Sequence, residues 1–199
     1  MEVNFDKKYH IKGCNISSYL LEKSRVVKQG SLERNYHIFY MLLAGASKEQ
    51  RQNYWLKPAD QFFYLNQSGC LEIHRRSDSK EFEELLHSVE SLGIDATASS
   101  QIFQLVAAIL HLGNLTFGPS SMRDVDAGSR LGHDYVKKKV SAFSDKISFR
   151  RITSPSDSRR VASLLGINPD HLEKAMCFRD SLINGETILV PLNVQKGRF

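Results

Sequence analysis

The stretch from Tyr19 to Gly45 constrains the fold most, because an extended segment, a charge cluster and a helical pattern follow one another within it. It opens with an extended apolar segment and passes through a charge cluster into the β-branched pair Val26–Val27. After a turn at Gly30, Ser31 is predicted to cap a helix that ends at Gly45. Four apolar residues repeat at helical spacing and form its predicted buried face: Ile38, Phe39, Leu42 and Leu43.

The remainder of the chain alternates between helical and strand-like patterns. Alternating apolar residues around Asp6 and the turn signal Asn184–Gly185 each predict a β-hairpin. Between them, capping signals predict helices that begin at Ser47, Asp78 and Asn168. The segment 101–112 is apolar almost all round, which predicts a buried helix. The pattern predicts an α+β, mainly helical fold with a few strands at its ends.

Composition and charge narrow the class of protein. Of 199 residues, 41% are hydrophobic and 25% are charged, as in globular proteins, and no apolar run reaches the roughly 18 residues of a membrane helix. We therefore expect a cytoplasmic protein without a membrane segment. The net charge of +5 is concentrated in residues 130–160, here called the basic segment, which alone carries +6. Such a segment suits an acidic partner, but a solvated loop would show the same charge.

Several motifs occur in an order that resembles the myosin motor domain. They are LLEKSRVV and ERNYHIFY in the opening stretch, then YLNQSGC, QIFQLVAAILHLGNLTF, VASLLGI and GETILVPL. The resemblance covers nearly the whole chain except Pro119 to about Ser158. It implies a partial motor domain over residues 1–199, an interior piece of a P-loop NTPase-type head from the upper 50-kDa subdomain, between switch I and switch II. The N-terminal hairpin would then lack sheet neighbours and be prone to aggregate.

The resemblance also implies what this chain contributes. The full motor is an actin-activated ATPase that uses MgATP, whereas no glycine here is followed by lysine, so the G-x-x-x-x-G-K-T phosphate loop is missing. We expect no cofactor in this chain and no ATP hydrolysis by it alone. Its expected partners are the actin filament and the remainder of the head, and its expected location is the cytoskeleton.

Two regions are candidates for contact with actin by this resemblance. The insertion at 119–158 stands where myosins carry a loop that can approach actin, and is expected to be flexible. The segment from Arg179 to Glu186 stands where the cardiomyopathy loop contacts actin. The candidate contact residues are Lys137, Lys138, Lys139, Arg150, Arg151, Arg179, Asn184 and Gly185. A cluster of Glu22, Lys23 and Arg25 is expected to be a structural junction between the sheet and the upper subdomain.

Alternative functions remain open from the residues alone. The chain could act by itself as a module that binds actin or another acidic partner through the basic segment. A nucleic-acid binder ranks last, because the basic segment has no interleaved aromatic residues. No catalytic or metal-binding pattern is found among the seven scattered histidines, and His111 is predicted to be a hydrogen-bonded core residue.

Overall fold

The computed structural model describes residues 1–17, 20–120, 149–183 and 186–192. Within these ranges the chain is mainly helical with short strands, which confirms the predicted α+β class. The helices are α1 (Lys23–Val27), α2 (His37–Gly45), α3 (Lys48–Asn53), a 3-10 turn (Ala59–Gln61), α4 (Phe63–Asn66), α5 (Asp78–Ser91), α6 (Ala96–Gly113), α7 (Pro155–Leu165) and α8 (Pro169–Cys177). The strands are β1 (Glu2–Phe5), β2 (Ile11–Asn15), β3 (Phe117–Ser120), β4 (Phe149–Ile152), β5 (Phe178–Ile183) and β6 (Glu186–Pro191).

The strands form three separate antiparallel pairs, β1–β2, β3–β4 and β5–β6. The first is the predicted N-terminal hairpin, and every residue of its two strands is exposed. In the third, Ile183 pairs with Glu186, so two residues connect the strands. The predicted turn residues Asn184 and Gly185 themselves lie outside the described residues.

The core is built on α6. One cluster joins residues of α2, α5 and α6 around Leu42, Phe82 and Phe103, and a second joins α2 and α4 to Leu110. A third cluster joins β4, α7 and α8 around Val161 and Leu172. Apolar burial of this kind contributes most of the stabilisation of a globular fold.

Glycine at position 45 is required by packing. A Cβ atom there would stand 2.5 Å from a ring carbon of Phe82, so only glycine lets α2 and α5 approach this closely. Gly45 is the last residue of α2, and Ala46 follows it as the C-cap. The sequence signal therefore marked the right end of the helix, although its physical cause is a contact with another helix.

The beginning of α2 differs from the prediction. The helix starts at His37, and Ser31 does not cap it. Residues 30–33 form a turn in which the Glu33 backbone N–H donates to the Gly30 carbonyl at 3.1 Å. The following two residues, Arg34 and Asn35, are buried and make long-range hydrogen bonds, which a helix beginning at Ser31 would redirect. The β-branched pair Val26–Val27 belongs to α1.

Helix α6 is longer and less enclosed than predicted. It runs for 18 residues, and three of its apolar side chains, Ile102, Leu105 and Ile109, are 45%, 52% and 36% exposed. By length and composition α6 alone among the described helices could cross a membrane. Core helices of globular proteins often have such a length and composition, and five residues of α6, including Phe103 and His111, are buried against the rest of the chain.

The described ends of the predicted 119–158 insertion are ordered into secondary structure. Strands β3 and β4 pair, with Gly118 opposite Arg151, and α7 begins at Pro155. Residues 121–148 lie outside the described part of the chain, so the expected flexibility of the insertion stays a prediction. Because β3 and β4 pair, the chain enters α7 close to the point where it leaves α6.

Candidate functional site

The predicted junction of Glu22, Lys23 and Arg25 is a local brace at the start of α1. The Arg25 guanidinium donates to both carboxylate oxygens of Glu22, at 2.7 and 3.3 Å, and this hydrogen bond is the main cause that raises the Arg25 pKa. Arg25 also reaches the Arg34 carbonyl at 3.5 Å, whereas Lys23 is exposed at the first helical position. The cluster thus ties α1 to the turn before α2.

A more deeply buried ion pair lies behind this brace. Arg34 donates to the two carboxylate oxygens of Asp78 at 3.0 and 2.5 Å, and to the Leu71 carbonyl at 2.8 Å. Its guanidinium carbon lies 3.8 Å from the ring centroid of Tyr40. The side chains of Arg34 and Asp78 are only 5% and 15% exposed. Arg34 therefore joins the segment before α2 to the first residue of α5.

Asn35 is a second buried polar link. Its amide nitrogen donates to the carbonyls of Val26 at 3.0 Å and Tyr64 at 2.8 Å, and its amide oxygen accepts from the Tyr36 backbone N–H at 2.7 Å. The side chain thus satisfies backbone groups of α1, of α4 and of the residue before α2. Sequence reasoning missed both Arg34 and Asn35, because hydrophobic periodicity reports only apolar positions.

The basic segment enters the described structure at β4. Arg150 and Arg151 pair with Pro119 and Gly118 in the β3–β4 hairpin. Two further arginines lie in α7, where the Arg160 guanidinium pairs with Asp157 at 2.7 Å and Arg159 donates to the Pro155 carbonyl at 3.2 Å. The three predicted contact lysines, Lys137, Lys138 and Lys139, lie outside the described residues.

Arg179 is the described contact candidate in the second region. It is exposed in β5, opposite Val190 of β6. Strand β5 follows α8 directly, and α8 also packs against β4. Both regions predicted to contact a partner therefore lie next to α8. Arg150 and Arg151 belong to β4, which packs against this helix, and Arg179 belongs to β5, which follows it.

Comparison with known proteins identifies the family. The family described as Myosin head (motor domain) matches residues 1–199, including the insertion. The chain belongs to the myosin head family. Among similar proteins, this myosin head sequence is 35% identical to a myosin-I heavy chain of Dictyostelium discoideum, over 98% of this chain and 7% of that protein. It is 39% identical to unconventional myosin-XV of Homo sapiens, over 93% of this chain and 5% of that protein, and 36% identical to unconventional myosin-Vb of Mus musculus, over 98% and 10%.

These relatives are much longer than this myosin head chain. The chain spans one tenth or less of the length of each of the three. The family membership confirms the resemblance and explains why one set of motifs runs through nearly all of the chain. The activity and partners of a whole myosin head are a separate question, because most of each relative lies outside the matched part.

His111 of this myosin head chain is a core residue, as predicted. Its Nε2 atom lies 2.8 Å from the Tyr54 carbonyl, which can only accept, so Nε2 carries the proton. The ring stands edge-on to Phe62. Burial lowers the His111 pKa, and no group of three or more potential metal ligands occurs in the described part of the chain. The neutral imidazole therefore serves as a buried hydrogen-bond donor.

The buried histidine predicts a pH dependence of stability for this myosin head chain. The His111 pKa is lowered in the folded state, so on acidification the unfolded state binds the proton first, near its ordinary pKa of about 6.5. The free energy of unfolding should fall as the pH drops below about 6.5, and His37, whose pKa burial also lowers, adds in the same direction. Urea unfolding at pH 7.5 and 5.5 measures this difference.

His111→Gln keeps an N–H donor for the Tyr54 carbonyl but cannot titrate, so the variant should lose less stability on acidification than the parent chain. His87→Gln is the matched control, because it makes the same substitution at an exposed position of α5. Equal losses in the parent and His111→Gln chains would show that the burial of His111 does not set the pH dependence.

Proposed function

We propose that this chain supplies an actin-facing part, the upper 50-kDa subdomain, of an actin-based, ATP-driven motor of the cytoplasmic cytoskeleton. The observation that carries the proposal is the local charge of +6 in the basic segment of a myosin head. A cationic surface attracts an acidic filament over about a Debye length, roughly 8 Å at physiological ionic strength. Arg150, Arg151 and Arg179, on two strands that meet α8, support a shared contact surface.

The lysines of the basic segment test this proposal. Reversing Lys137, Lys138 and Lys139 to glutamate should raise the dissociation constant for filamentous actin on the order of tenfold, because like charges then face each other. The measurement is co-sedimentation of the 199-residue chain with actin filaments. Reversing Lys7, Lys8 and Lys12, three exposed lysines of the N-terminal hairpin, makes the same change in net charge elsewhere and is the matched control.

Equal weakening by the two triple variants would mean that net charge, and not the basic segment, determines binding. The alternative function, a module for acidic partners in general, is favoured by the same charge. It predicts that a polyanion such as heparin binds the chain as tightly as actin does, whereas a myosin contact surface should prefer the filament. Competition between heparin and actin in the same assay separates the two functions.

The proposal includes a prediction about nucleotide chemistry. None of the 12 glycines of the chain precedes a lysine, so the phosphate-binding loop that positions the nucleotide triphosphate is missing from this sequence. In the presence of actin filaments, the isolated chain should release no more phosphate from MgATP than the filaments release by themselves. A steady-state phosphate-release assay checks this. Turnover that co-purifies with the chain through two orthogonal columns would contradict the proposal.

A further inference from the structure

A threonine after β4 stands in a pattern that protein kinases recognise. The chain contains three Arg–Arg pairs, and only Arg150–Arg151 has a hydroxyl side chain two residues later, on Thr153. Kinases that select basic substrates bind such guanidinium groups through acidic side chains beside their active site. We propose that Thr153 is a phosphorylation site for a basic-directed Ser/Thr protein kinase, and that its phosphate weakens the contact of the basic segment with actin. The effect of the phosphate on actin binding rests on the proposed function.

The backbone before Thr153 already has the shape that a kinase groove accepts. Residues 149–152 are an extended strand, and Thr153 follows it directly. The strand belongs to a two-stranded sheet, in which β3 covers one edge and no other described strand pairs with the opposite edge. An extended segment with an open edge can add to the surface of another protein through main-chain hydrogen bonds. Thr153 therefore lies at the exposed end of an extended segment, and the buried side chain of Ile152 before it has to leave its core contacts for the segment to enter a kinase groove.

The Thr153 hydroxyl is accessible and weakly held. The residue is exposed, and within the described part of the chain its Oγ1 atom makes one hydrogen bond, 2.9 Å long, to the hydroxyl of Thr116, which is also exposed. The neighbouring Ser154 is a poorer acceptor of phosphate. Its Oγ atom accepts from the Thr116 backbone N–H at 3.0 Å, and the residue is partly buried at the N-cap of α7. The geometry thus distinguishes two adjacent hydroxyl groups.

The reaction consumes MgATP bound to the kinase. The Thr153 Oγ1 atom attacks the γ-phosphorus, the bond from that phosphorus to the β,γ-bridging oxygen breaks, and ADP leaves. The hydroxyl proton passes to the catalytic aspartate of the kinase. The product is a phosphothreonine that carries about −1.5 to −2 charges near neutral pH.

The new phosphate would change the charge of the basic segment without disrupting the fold. It lowers the local charge from +6 to about +4. Thr153 precedes the N-cap of α7, an 11-residue helix whose positive end favours a nearby anion. The group that is lost is a surface hydrogen bond to Thr116, because the Thr153 backbone N–H still donates to the Thr116 carbonyl at 2.8 Å.

The site is tested by treating the 199-residue chain with the catalytic subunit of a cyclic-nucleotide-dependent protein kinase and MgATP. We expect one phosphate per chain, mapped to Thr153 by peptide mass spectrometry. Thr153→Ala and the pair Arg150→Gln with Arg151→Gln should each lose it, and Ser154→Ala should keep it. Ser141 follows Lys138–Lys139 at the same spacing, outside the described residues. A phosphate on Ser141 or Ser154 that persists in Thr153→Ala would overturn the proposal.

Actin co-sedimentation of the phosphorylated chain tests the regulatory half separately. The dissociation constant should rise severalfold, and Thr153→Ala treated with the same kinase should bind like the untreated chain. Phosphorylation at Thr153 with an unchanged dissociation constant would overturn the regulatory half. If the untreated chain failed to bind actin, the proposed function would fail, while the mapped phosphate would still establish the modification site.

Discussion

Replacing Asp78 with alanine is expected to lower the free energy of unfolding by about 3–5 kcal/mol, because the Arg34 guanidinium would stay buried without its carboxylate partner. The Arg34 side chain is only 5% exposed, so water cannot replace the lost Asp78 carboxylate as its hydrogen-bond partner. Its remaining contacts, the hydrogen bond to the Leu71 carbonyl and the Tyr40 ring, do not neutralise the charge. Urea unfolding followed by circular dichroism measures the difference.

A second ion pair in the same region is the matched control. Arg76 pairs with Glu81, but these side chains are 31% and 29% exposed, so Glu81→Ala should cost at most about 1 kcal/mol. The double variant Arg34→Met with Asp78→Leu removes both charges and should recover most of the stability lost in Asp78→Ala. If Asp78→Ala cost no more than Glu81→Ala, the buried pair could not be a main link between the segment before α2 and α5.

Replacing Asn35 with alanine should cost about 3 kcal/mol, because three backbone groups each lose a hydrogen bond at once and the Val26 carbonyl keeps only a longer one, 3.4 Å, from the Gln29 amide. The Val26 and Tyr64 carbonyls would lose donors, and the Tyr36 N–H would lose its acceptor, in a place where Asn35 itself is only 1% exposed. The same unfolding experiment measures this loss.

Asn66→Ala is the control of identical chemistry. The Asn66 amide also donates to a backbone carbonyl, that of Asp60 at 2.8 Å, but the residue is exposed and water can replace it. Its loss should therefore be within about 1 kcal/mol of the parent stability. Equal effects of the two asparagine substitutions would contradict the role of Asn35 as a buried link.

The signals that predicted structure correctly are local. Ser47 and Gln50 form the predicted capping box, with both hydrogen bonds present. Asn168 caps α8 with Pro169 at its first position, and Gly166 ends α7 in the left-handed region with a φ of 65°. Each of these depends on residues within one turn of helix, so the sequence alone contains the required information.

The predictions that were wrong depended on distant residues. Helix α2 starts at His37 because Arg34 and Asn35 turn inward to Asp78 and Tyr64, partners 44 and 29 positions away. The exposed face of α6 has a similar cause. A helix that is apolar all round predicts burial, yet the described elements cover only the side with Phe103, Ala107 and Leu110. Periodicity indicates which residues are apolar, but the elements that pack against them are fixed by the whole fold.

The candidate contact residues stay predictions, and the structure adds only how the two regions that carry them are connected. The sequence identified the basic segment and the β5–β6 hairpin as separate regions, and the structure adds that β4 and β5 both meet α8. That contact requires the third core cluster, in which Ile152 of β4 and Leu172 of α8 are buried together. No sequence pattern relates the two residues, because one belongs to a short strand and the other to a helix with its own period.

The most direct test of the proposed function is the salt dependence of actin binding by the unmodified 199-residue chain. Co-sedimentation with actin filaments at 50 and 200 mM KCl should show saturable binding at the lower concentration and a dissociation constant on the order of tenfold higher at the upper one, because salt screens exposed charges. Reversal of Lys137, Lys138 and Lys139 should remove most of that salt dependence. Absence of binding at 50 mM KCl, or binding that does not change with salt, would contradict an actin contact made through the basic segment.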